Sequence, residues 1–189
     1  MKNIITSLNE YKKLFPQESF FVDRIIWCIE KNAEKAFHNY HWDDGHITGS
    51  MLIVNKKHDK ILLMFHKKLK KWLQFWWHSD DSSDILGTAI REFHEESGIL
   101  ESPEIFSYIK DIAIIPIFDI DIHEIPADAK GRPLHLHYDI RFLGIIDEYV
   151  QISHQVDEVD DVRWFPIHDV ETIISEIGTL RMIEKLKQL

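Results

Sequence analysis

Residues 91–99 read Arg-Glu-Phe-His-Glu-Glu-Ser-Gly-Ile, and this stretch carries three closely spaced glutamates, Glu92, Glu95 and Glu96. On a helix, carboxylates three and four residues apart repel each other by roughly 0.2–0.5 kcal/mol per pair. A helix that crowds them is destabilised unless a positive charge lies among them. Divalent cations such as Mg²⁺, which prefer oxygen ligands, are the obvious candidates.

The helical period places these carboxylates beside an apolar face. At about 100° per residue, Glu95, Glu92 and Glu96 fall between roughly 280° and 20° when residue 85 is set at zero. The apolar positions fall between roughly 0° and 140°, and they are Ile85, Leu86, Ala89, Ile90 and Phe93. The carboxylate cluster therefore borders a buried stripe. A solvated acidic face is the alternative interpretation of the same pattern.

Length and charge restrict the class of protein. The chain has 189 residues, which suits one domain with a small appendage. Its 32 acidic and 22 basic residues leave a net charge of -10. That balance argues against a nucleic acid polymer as the partner, because polymer binding relies on Lys and Arg. It is compatible with a small phosphorylated ligand held through a metal.

We expect a cytoplasmic protein that does not cross a membrane. Cys28 is the only cysteine, so no intrachain disulfide can form and a reducing compartment is the simplest inference. Residues 1–16 carry charges and lack an apolar run, so no signal peptide is predicted. No stretch approaches the roughly 18 apolar residues of a membrane helix. The 12 histidines are scattered and show no zinc-ligand spacing.

The pattern along the chain predicts helices, strands, one central helix, then strands and helices again. Residues 1–40 are predicted to be helical with a break at Pro16, and two short helices are predicted from about residue 167. Extended runs are predicted at 47–54, 60–65 and 72–77, within 104–125, where 112–118 is the strongest, and at 134–146 and 160–165. The first two are predicted to form a hairpin. Ser82, Ser83 or Asp84 is expected to cap the central helix, and Gly98 to end it.

Residues 77–99 resemble the Nudix box. That box runs Gly, five residues, Glu, seven residues, Arg-Glu, a hydrophobic residue, any residue, Glu-Glu, any residue, Gly and a hydrophobic residue. Residues 91–99 match its second half at every defined position. With similar flanking strands, from His46–Ser50 to 162–165, the resemblance covers roughly residues 46–175. It is strongest to a bacterial subgroup in which the first half of the box is degenerate.

The resemblance implies a fold and a chemistry. We expect an α/β (α+β) fold, a Nudix-like α/β/α sandwich with a mixed sheet. A helical extension at residues 1–45 would precede a catalytic domain at 46–189. The aromatic residues of the extension are expected to pack it on that domain or to form a homodimer contact. The implied activity is hydrolysis of a phosphoanhydride bond in a nucleoside diphosphate linked to another group.

The resemblance also assigns roles to residues. Glu92, Glu95 and Glu96 would hold Mg²⁺ or Mn²⁺, and Arg91 would pair with a carboxylate to fix the loop before the helix. The position of the general base varies in the family. Glu92, Asp157 and Glu158 are the candidates, with Glu158 preferred over Asp157 because it lies just before the strand at 162–165. An exposed loop acid is the alternative interpretation of Glu158.

One later strand carries alternating polar residues, His135, His137, Asp139 and Arg141, which share one face of the strand. We predict that His137, Asp139 and Arg141 contact the substrate, and an exposed sheet face without a ligand is the alternative. The lysines around Leu69 are expected to form a solvated turn.

The sequence departs from the Nudix pattern in two places. The box glycine and the glycine before it fall at Trp77 and Trp76, and the first box glutamate falls at Ser83. Asp80, Asp81 or Asp84 could take over the pairing with Arg91. We therefore predict a metal-dependent pyrophosphohydrolase. The alternative is a catalytically impaired Nudix-fold protein that binds a nucleotide or has a regulatory role. An isomerase that shares the fold and uses an active-site cysteine fits poorly, because Cys28 precedes the region of resemblance.

Overall fold

Helices occupy the N-terminal region of the computed structural model, which describes residues 2–78, 82–129, 131–153 and 159–189. Helix α1 spans Lys2–Leu14 and helix α2 spans Ser19–Asn32. Short 3-10 turns at Pro16–Glu18 and Ala33–Phe37 follow them. Pro16 opens the first of these turns, a position where its missing N–H is not needed. The predicted break at Pro16 is confirmed.

The remaining elements follow the predicted order of strands, central helix, strands and helices. The strands are β1 (His46–Asn55), β2 (Lys60–His66), β3 (Lys71–Leu73), β4 (Phe75–His78), β5 (Glu104–Ile105), β6 (Asp119–Ile125), β7 (His135–Ile146) and β8 (Val159–Pro166). The central helix is α3 (Ile85–Ser97), and the chain ends with a 3-10 turn at Ile167–Asp169, α4 (Val170–Ile173) and α5 (Ile177–Leu186).

Strand pairing follows the order β3-β2-β1-β7-β5, with β4 beside β1, β6 beside β7 and β8 beside β2. In the β1–β2 hairpin Ile53 is opposite Leu62. In the β6–β7 pair His123 is opposite His137. A mixed sheet with helices gives the α+β fold that was predicted.

The turn of the first hairpin is held by one side chain. Asn55 Oδ1 accepts hydrogen bonds from the backbone N–H groups of Asp59 and Lys60, at 3.0 and 3.1 Å. Asn and Asp side chains commonly close turns in this way. The predicted hairpin is confirmed.

The chain divides into two compact units. The first comprises Met1–Gly49, Trp77–Thr88 and Ser107–Arg141. Its buried residues include Leu8, Val22, Ile25, Ile120 and Tyr138. The predicted boundary between residues 45 and 46 stays a prediction.

The second unit comprises Ser50–Trp76, Ala89–Phe106 and Phe142–Leu189. Its buried residues include Ile53, Leu63, Phe93, Val162 and Ile183. Among the helices in the described part of the chain, none has the length and apolarity that crossing a bilayer requires.

The extended run predicted at 112–118 is wrong. These residues form a turn and an irregular segment, and Ile112 is exposed. Asp111 explains the difference, because its carboxylate accepts the N–H of Ala113 at 2.9 Å and its carbonyl accepts the N–H of Ile114 at 3.0 Å. Pro116 also lacks the N–H that a strand ladder needs. Local turn chemistry outweighs the β propensity of the isoleucines.

The extended run predicted at 72–77 is confirmed except at Gln74, where it divides into β3 and β4. The Gln74 side chain is buried. Its amide donates to Ser50 Oγ at 3.1 Å, and its carbonyl oxygen accepts from Thr179 Oγ1 at 2.7 Å. These bonds satisfy a buried polar group at the point where the strand is interrupted.

Candidate active site

Helix α3 begins and ends where the sequence predicted. Asp84 caps it, because its Oδ1 accepts the N–H of Gly87 at 3.0 Å. Gly98 ends it with φ +64, in the left-handed region, and its N–H donates to His94 O at 2.9 Å. A Cβ at residue 98 would overlap the backbone carbonyl of Ser153. Glycine is therefore required there both for its conformation and for the close approach of the Ser153 backbone.

The exposure of the glutamates follows the angles predicted from the helical period. Ile85, Ala89 and Phe93 are buried. Glu92, near the apolar stripe, keeps 16% of its side-chain surface exposed, whereas Glu95, which points farthest from the stripe, keeps 51%. The acidic cluster therefore extends from the edge of the core into solvent.

Arg91 lies among the glutamates. Its Nη1 is 2.6 Å from Glu92 Oε1 and 3.1 Å from Glu95 Oε1. The guanidinium therefore contributes part of the positive charge that the crowded carboxylates need. It also holds two of the predicted metal ligands in place through ion pairs within the helix.

The donor set of α3 fits a hard divalent cation. Three carboxylates and one guanidinium, from Glu92, Glu95, Glu96 and Arg91, leave two net negative charges on this helix. Mg²⁺ and Mn²⁺ take oxygen ligands, and two positive charges would balance the cluster. The chemistry of the donors, rather than a preformed convergence of three oxygens, is the basis of this fit.

The loop after α3 is tied back to the helix. His94 Nδ1 donates to Ile99 O at 2.7 Å, and Ser97 Oγ donates to Phe93 O at 2.6 Å. Ser153 N–H donates to Ser97 O at 3.1 Å. These bonds fix the C-terminal end of the helix that carries the glutamates.

The two tryptophans in place of the box glycines lie in strand β4. A strand is extended, so neither position needs the positive φ that glycine would allow and tryptophan would resist. The backbone therefore accommodates Trp76 and Trp77 without strain.

Several predicted positions lie outside the described residues. They are Asp80, Asp81, Asp157 and Glu158. Their predicted roles, as partners of Arg91 or as the general base, stay predictions. Asp84, the third candidate partner of Arg91, is the helix cap.

The polar residues of β7 are buried, so the alternative of an exposed sheet face is wrong. Arg141 lies at the centre of an ion network, at 2.8 Å from Asp139, 2.9 Å from Asp121 and 3.3 Å from Asp119. Thr48 Oγ1 donates to Asp139 Oδ1 at 3.1 Å. Burial alone lowers the pKa of Arg141, but the three carboxylates outweigh burial and raise that pKa above its ordinary value.

These contacts give Asp139 and Arg141 a structural role that needs no substrate. Their predicted contact with substrate, and that of His137, stays a prediction.

Sequence reasoning missed one group of residues. His46, at the start of β1, converges with His135 and His137 of β7. The His-x-His spacing on one strand was a signal that could have led to this group. The third member comes from a distant part of the chain, so local spacing could not supply it.

No protein-family model matches the chain. A curated relative from Lactococcus lactis subsp. cremoris, named "Probable DHNTP pyrophosphohydrolase", is 26% identical over 149 residues, covering 78% of this chain and 76% of that protein. The crystal structure of a NUDIX-family hydrolase from Clostridium perfringens is 25% identical, with a TM-score of 0.58, and the alignment covers 76% of this chain and 97% of that one. In sequence and in fold, the chain is similar to Nudix hydrolases.

A second Nudix-like structure supports the fold alone. The dihydroneopterin triphosphate pyrophosphohydrolase of E. coli is 13% identical with a TM-score of 0.57, covering 76% of this chain and 93% of that one. Residues 91–99, which match the second half of the Nudix box at every defined position, lie on α3 and in the two residues that follow it.

Proposed function

We propose that this protein is a metal-dependent pyrophosphohydrolase that cleaves a phosphoanhydride bond in a nucleoside diphosphate derivative. The observation that carries the proposal is the arrangement on α3, where Glu92 at the core edge and the exposed Glu95 both pair with Arg91, with Glu96 next to them in the sequence. Cleaving a phosphoanhydride requires charge neutralisation and positioning rather than extensive covalent chemistry. A carboxylate-rich helix next to solvent suits both requirements.

Glu92, Glu95 and Glu96 would hold Mg²⁺ or Mn²⁺. The bound ion would neutralise phosphate charge and supply a polarised water. Arg91 acts as a positioning residue, since its guanidinium holds Glu92 and Glu95 on one side of the helix. Gly98 and His94 fix the end of the helix, so the carboxylates keep their orientation.

A general base must take the proton of the attacking water. Glu92, Asp157 and Glu158 remain the candidates. Of the two later acids, Glu158 is preferred because it directly precedes strand β8 in the sequence.

The proposed substrate is small and phosphorylated. The net charge of -10 disfavours a nucleic acid polymer, so the charge of a phosphorylated ligand would have to be met by the metal. The name of the curated relative adds DHNTP to the compounds that should be tested.

We further infer a cytoplasmic location from the single cysteine. The exposed Phe20 and Trp27 of α2 are the side chains we assign to a homodimer contact.

A substrate panel tests this function. The protein is incubated with nucleoside diphosphate derivatives and DHNTP, with Mg²⁺, with Mn²⁺ or with a chelator. The products are separated and measured as nucleoside monophosphate plus the phosphorylated second group, or as pyrophosphate in the case of DHNTP. We expect turnover of at least one compound, dependent on metal. Glu95→Gln should reduce it strongly, while the exposed Glu101→Gln serves as the matched control. Binding without turnover would instead support the catalytically impaired alternative, and equal rates with and without metal would contradict the proposal.

A further inference from the structure

Three buried histidines share no residue with the glutamate cluster. His46, His135 and His137 each offer a ring nitrogen, and these nitrogens all lie within 4.8 Å of one another. All three side chains are nearly inaccessible to solvent. Among the described residues, this is where three potential ligands converge at such distances. We propose that this group is a transition-metal site that takes Zn²⁺.

The backbone brings the three rings together. Gly45 has φ +83, and a Cβ there would overlap the backbone carbonyl of Leu136. A glycine at this position therefore lets the start of β1 approach the start of β7. His46 follows directly, and His135 and His137 lie on the same face of β7. The cluster is a consequence of this close approach.

The distance between two of the rings suits a metal. Two nitrogens bound to one tetrahedral Zn²⁺ at roughly 2.0–2.1 Å lie about 3.3 Å apart. His135 Nε2 and His137 Nε2 are 3.2 Å apart. All three ligand nitrogens lie within 4.8 Å of one another, so no pair would have to shorten by more than about 1.5 Å (4.8 minus 3.3), which rotation of one ring can supply.

Backbone carbonyls select the metal-binding form of two rings. His135 Nδ1 is 2.8 Å from Pro133 O, and His46 Nδ1 is 3.3 Å from His41 O. A carbonyl oxygen only accepts, so each Nδ1 carries the proton and each Nε2 keeps a lone pair. Metal-binding histidines usually donate their other N–H in this way. Neutral imidazole is a ligand that Zn²⁺ favours.

The surrounding charge also favours a cation. On β6 and β7 the row next to His137 contains the opposed pair Asp121 and Asp139. With Asp119 and Arg141 they form a network of three carboxylates and one guanidinium, which together carry two negative charges. Two positive charges in the neighbouring row would be electrostatically favourable.

Three histidines leave one position of a tetrahedral site for another ligand. A cavity of about 260 Å³ reaches His135, and it is also lined by Arg24, Asp43, Asp44 and Glu124. Water or a small molecule can therefore approach the site from this cavity. The acidic lining suits the entry of a cation.

Zinc binding is measured on the full chain after chelator treatment and dialysis. The protein is titrated with Zn²⁺ in a calorimeter, in a buffer whose saturating Mg²⁺ occupies the glutamate cluster. We expect one tight Zn²⁺ site per chain. His46→Asn, His135→Asn and His137→Asn should each weaken it by more than the roughly 10–100-fold that loss of an outer-shell partner causes. The exposed His168→Asn and the double variant Glu95→Gln, Glu96→Gln should bind Zn²⁺ like the wild type.

X-ray absorption at the zinc edge identifies the atoms that bind Zn²⁺ in the wild-type protein, so the test does not depend on the folding of the histidine variants. The proposal predicts a nitrogen shell with imidazole scattering at roughly 2.0–2.1 Å. A shell of oxygens only, absence of tight binding, or loss of binding in the glutamate double variant would overturn it. In each of those cases the three rings are a hydrogen-bonded histidine cluster without an ion.

Discussion

The glutamates of α3 and the histidines of β1 and β7 are two clusters of potential metal ligands with opposite physical settings. The glutamates are oxygen donors at the edge of a core, with Arg91 among them. The histidines are nitrogen donors in the interior, held by backbone carbonyls. The first setting suits a hard, exchangeable ion next to solvent, and the second suits a more strongly bound transition metal.

The two clusters also depend on different parts of the fold. The glutamate cluster is local, since one helix with its cap and its terminal glycine places every member. The histidine cluster requires two strands that are distant in sequence, together with a buried ion network beside them. Substitution of the glutamates themselves should therefore change activity more than stability, whereas substitution within the buried ion network of β7 should change stability more than activity.

The largest stability effect should come from the buried network beside the histidines. Arg141→Met leaves Asp119, Asp121 and Asp139 without their shared guanidinium, so we expect the free energy of unfolding to fall by about 3–5 kcal/mol. The matched control is Arg132→Met, which breaks an exposed pair with Asp128 and should cost below about 1 kcal/mol. Urea denaturation measures the free energy of unfolding of both variants. Similar losses in the two would contradict the larger role given to the buried network.

The next effect concerns the end of the glutamate helix. Gly98→Ala should lose about 1–2 kcal/mol for a left-handed alanine, and more because its methyl group meets the carbonyl of Ser153.

Gly131→Ala is the control for Gly98→Ala. Its φ is +88, yet no described atom lies within 4 Å of the added Cβ. Thermal unfolding of both variants separates the cost of a left-handed alanine, which both share, from the steric overlap with Ser153, which only Gly98→Ala has. If Gly131→Ala were as destabilising as Gly98→Ala, the close approach of Ser153 would have no measurable role.

A smaller loss is expected at the start of the helix. Asp84→Ala removes the side chain that accepts the Gly87 N–H, and should destabilise the protein by about 1 kcal/mol. The exposed Ser83→Ala should change stability by less than about 0.5 kcal/mol. An unchanged midpoint for Asp84→Ala in chemical denaturation would show that another group caps α3.

The smallest effect is the pH dependence of stability that comes from the buried thiol of Cys28. Burial raises the pKa of the Cys28 thiol from 9.0 to about 11. The unfolded chain therefore loses this proton first, so the stabilisation present below pH 9 falls between pH 9 and 11. At pH 9.5 we expect the free energy of unfolding to have fallen by less than about 1 kcal/mol because of this thiol.

Comparison of the wild type with Cys28→Ala across that pH range measures the effect of the thiol. The difference in stability between the two proteins should change as pH rises. A constant difference would contradict a buried, neutral thiol.

Local signals predicted much of the fold. Asp84 and Gly98 mark the ends of α3 because capping depends on residues within one turn. Asn55 likewise closes its own hairpin. The failures at 112–118 and at Gln74 have the opposite origin, because turn bonds at Asp111 and a buried amide interrupt runs that look extended.

The two clusters also differ in whether local sequence signals are enough to find them. The glutamates could be found from the helical period alone, including which of them is most exposed. The histidines could not, because only the pairing of β1 with β7 brings residue 46 beside residues 135 and 137. The burial of Asp139 and Arg141 was missed for a related reason, since their partners include Thr48 of β1 and Asp119 and Asp121 of β6.

The rate of hydrolysis by Glu96→Gln tests the central claim most directly. Using the best substrate from the panel at saturating Mg²⁺, kcat/KM is compared for the wild type, Glu96→Gln and the exposed Glu101→Gln. Our account predicts a loss of at least about 100-fold for Glu96→Gln, a near-normal value for Glu101→Gln, and unchanged thermal unfolding in both. Wild-type kcat/KM in Glu96→Gln would contradict the assignment of metal-dependent hydrolysis to the glutamates of α3.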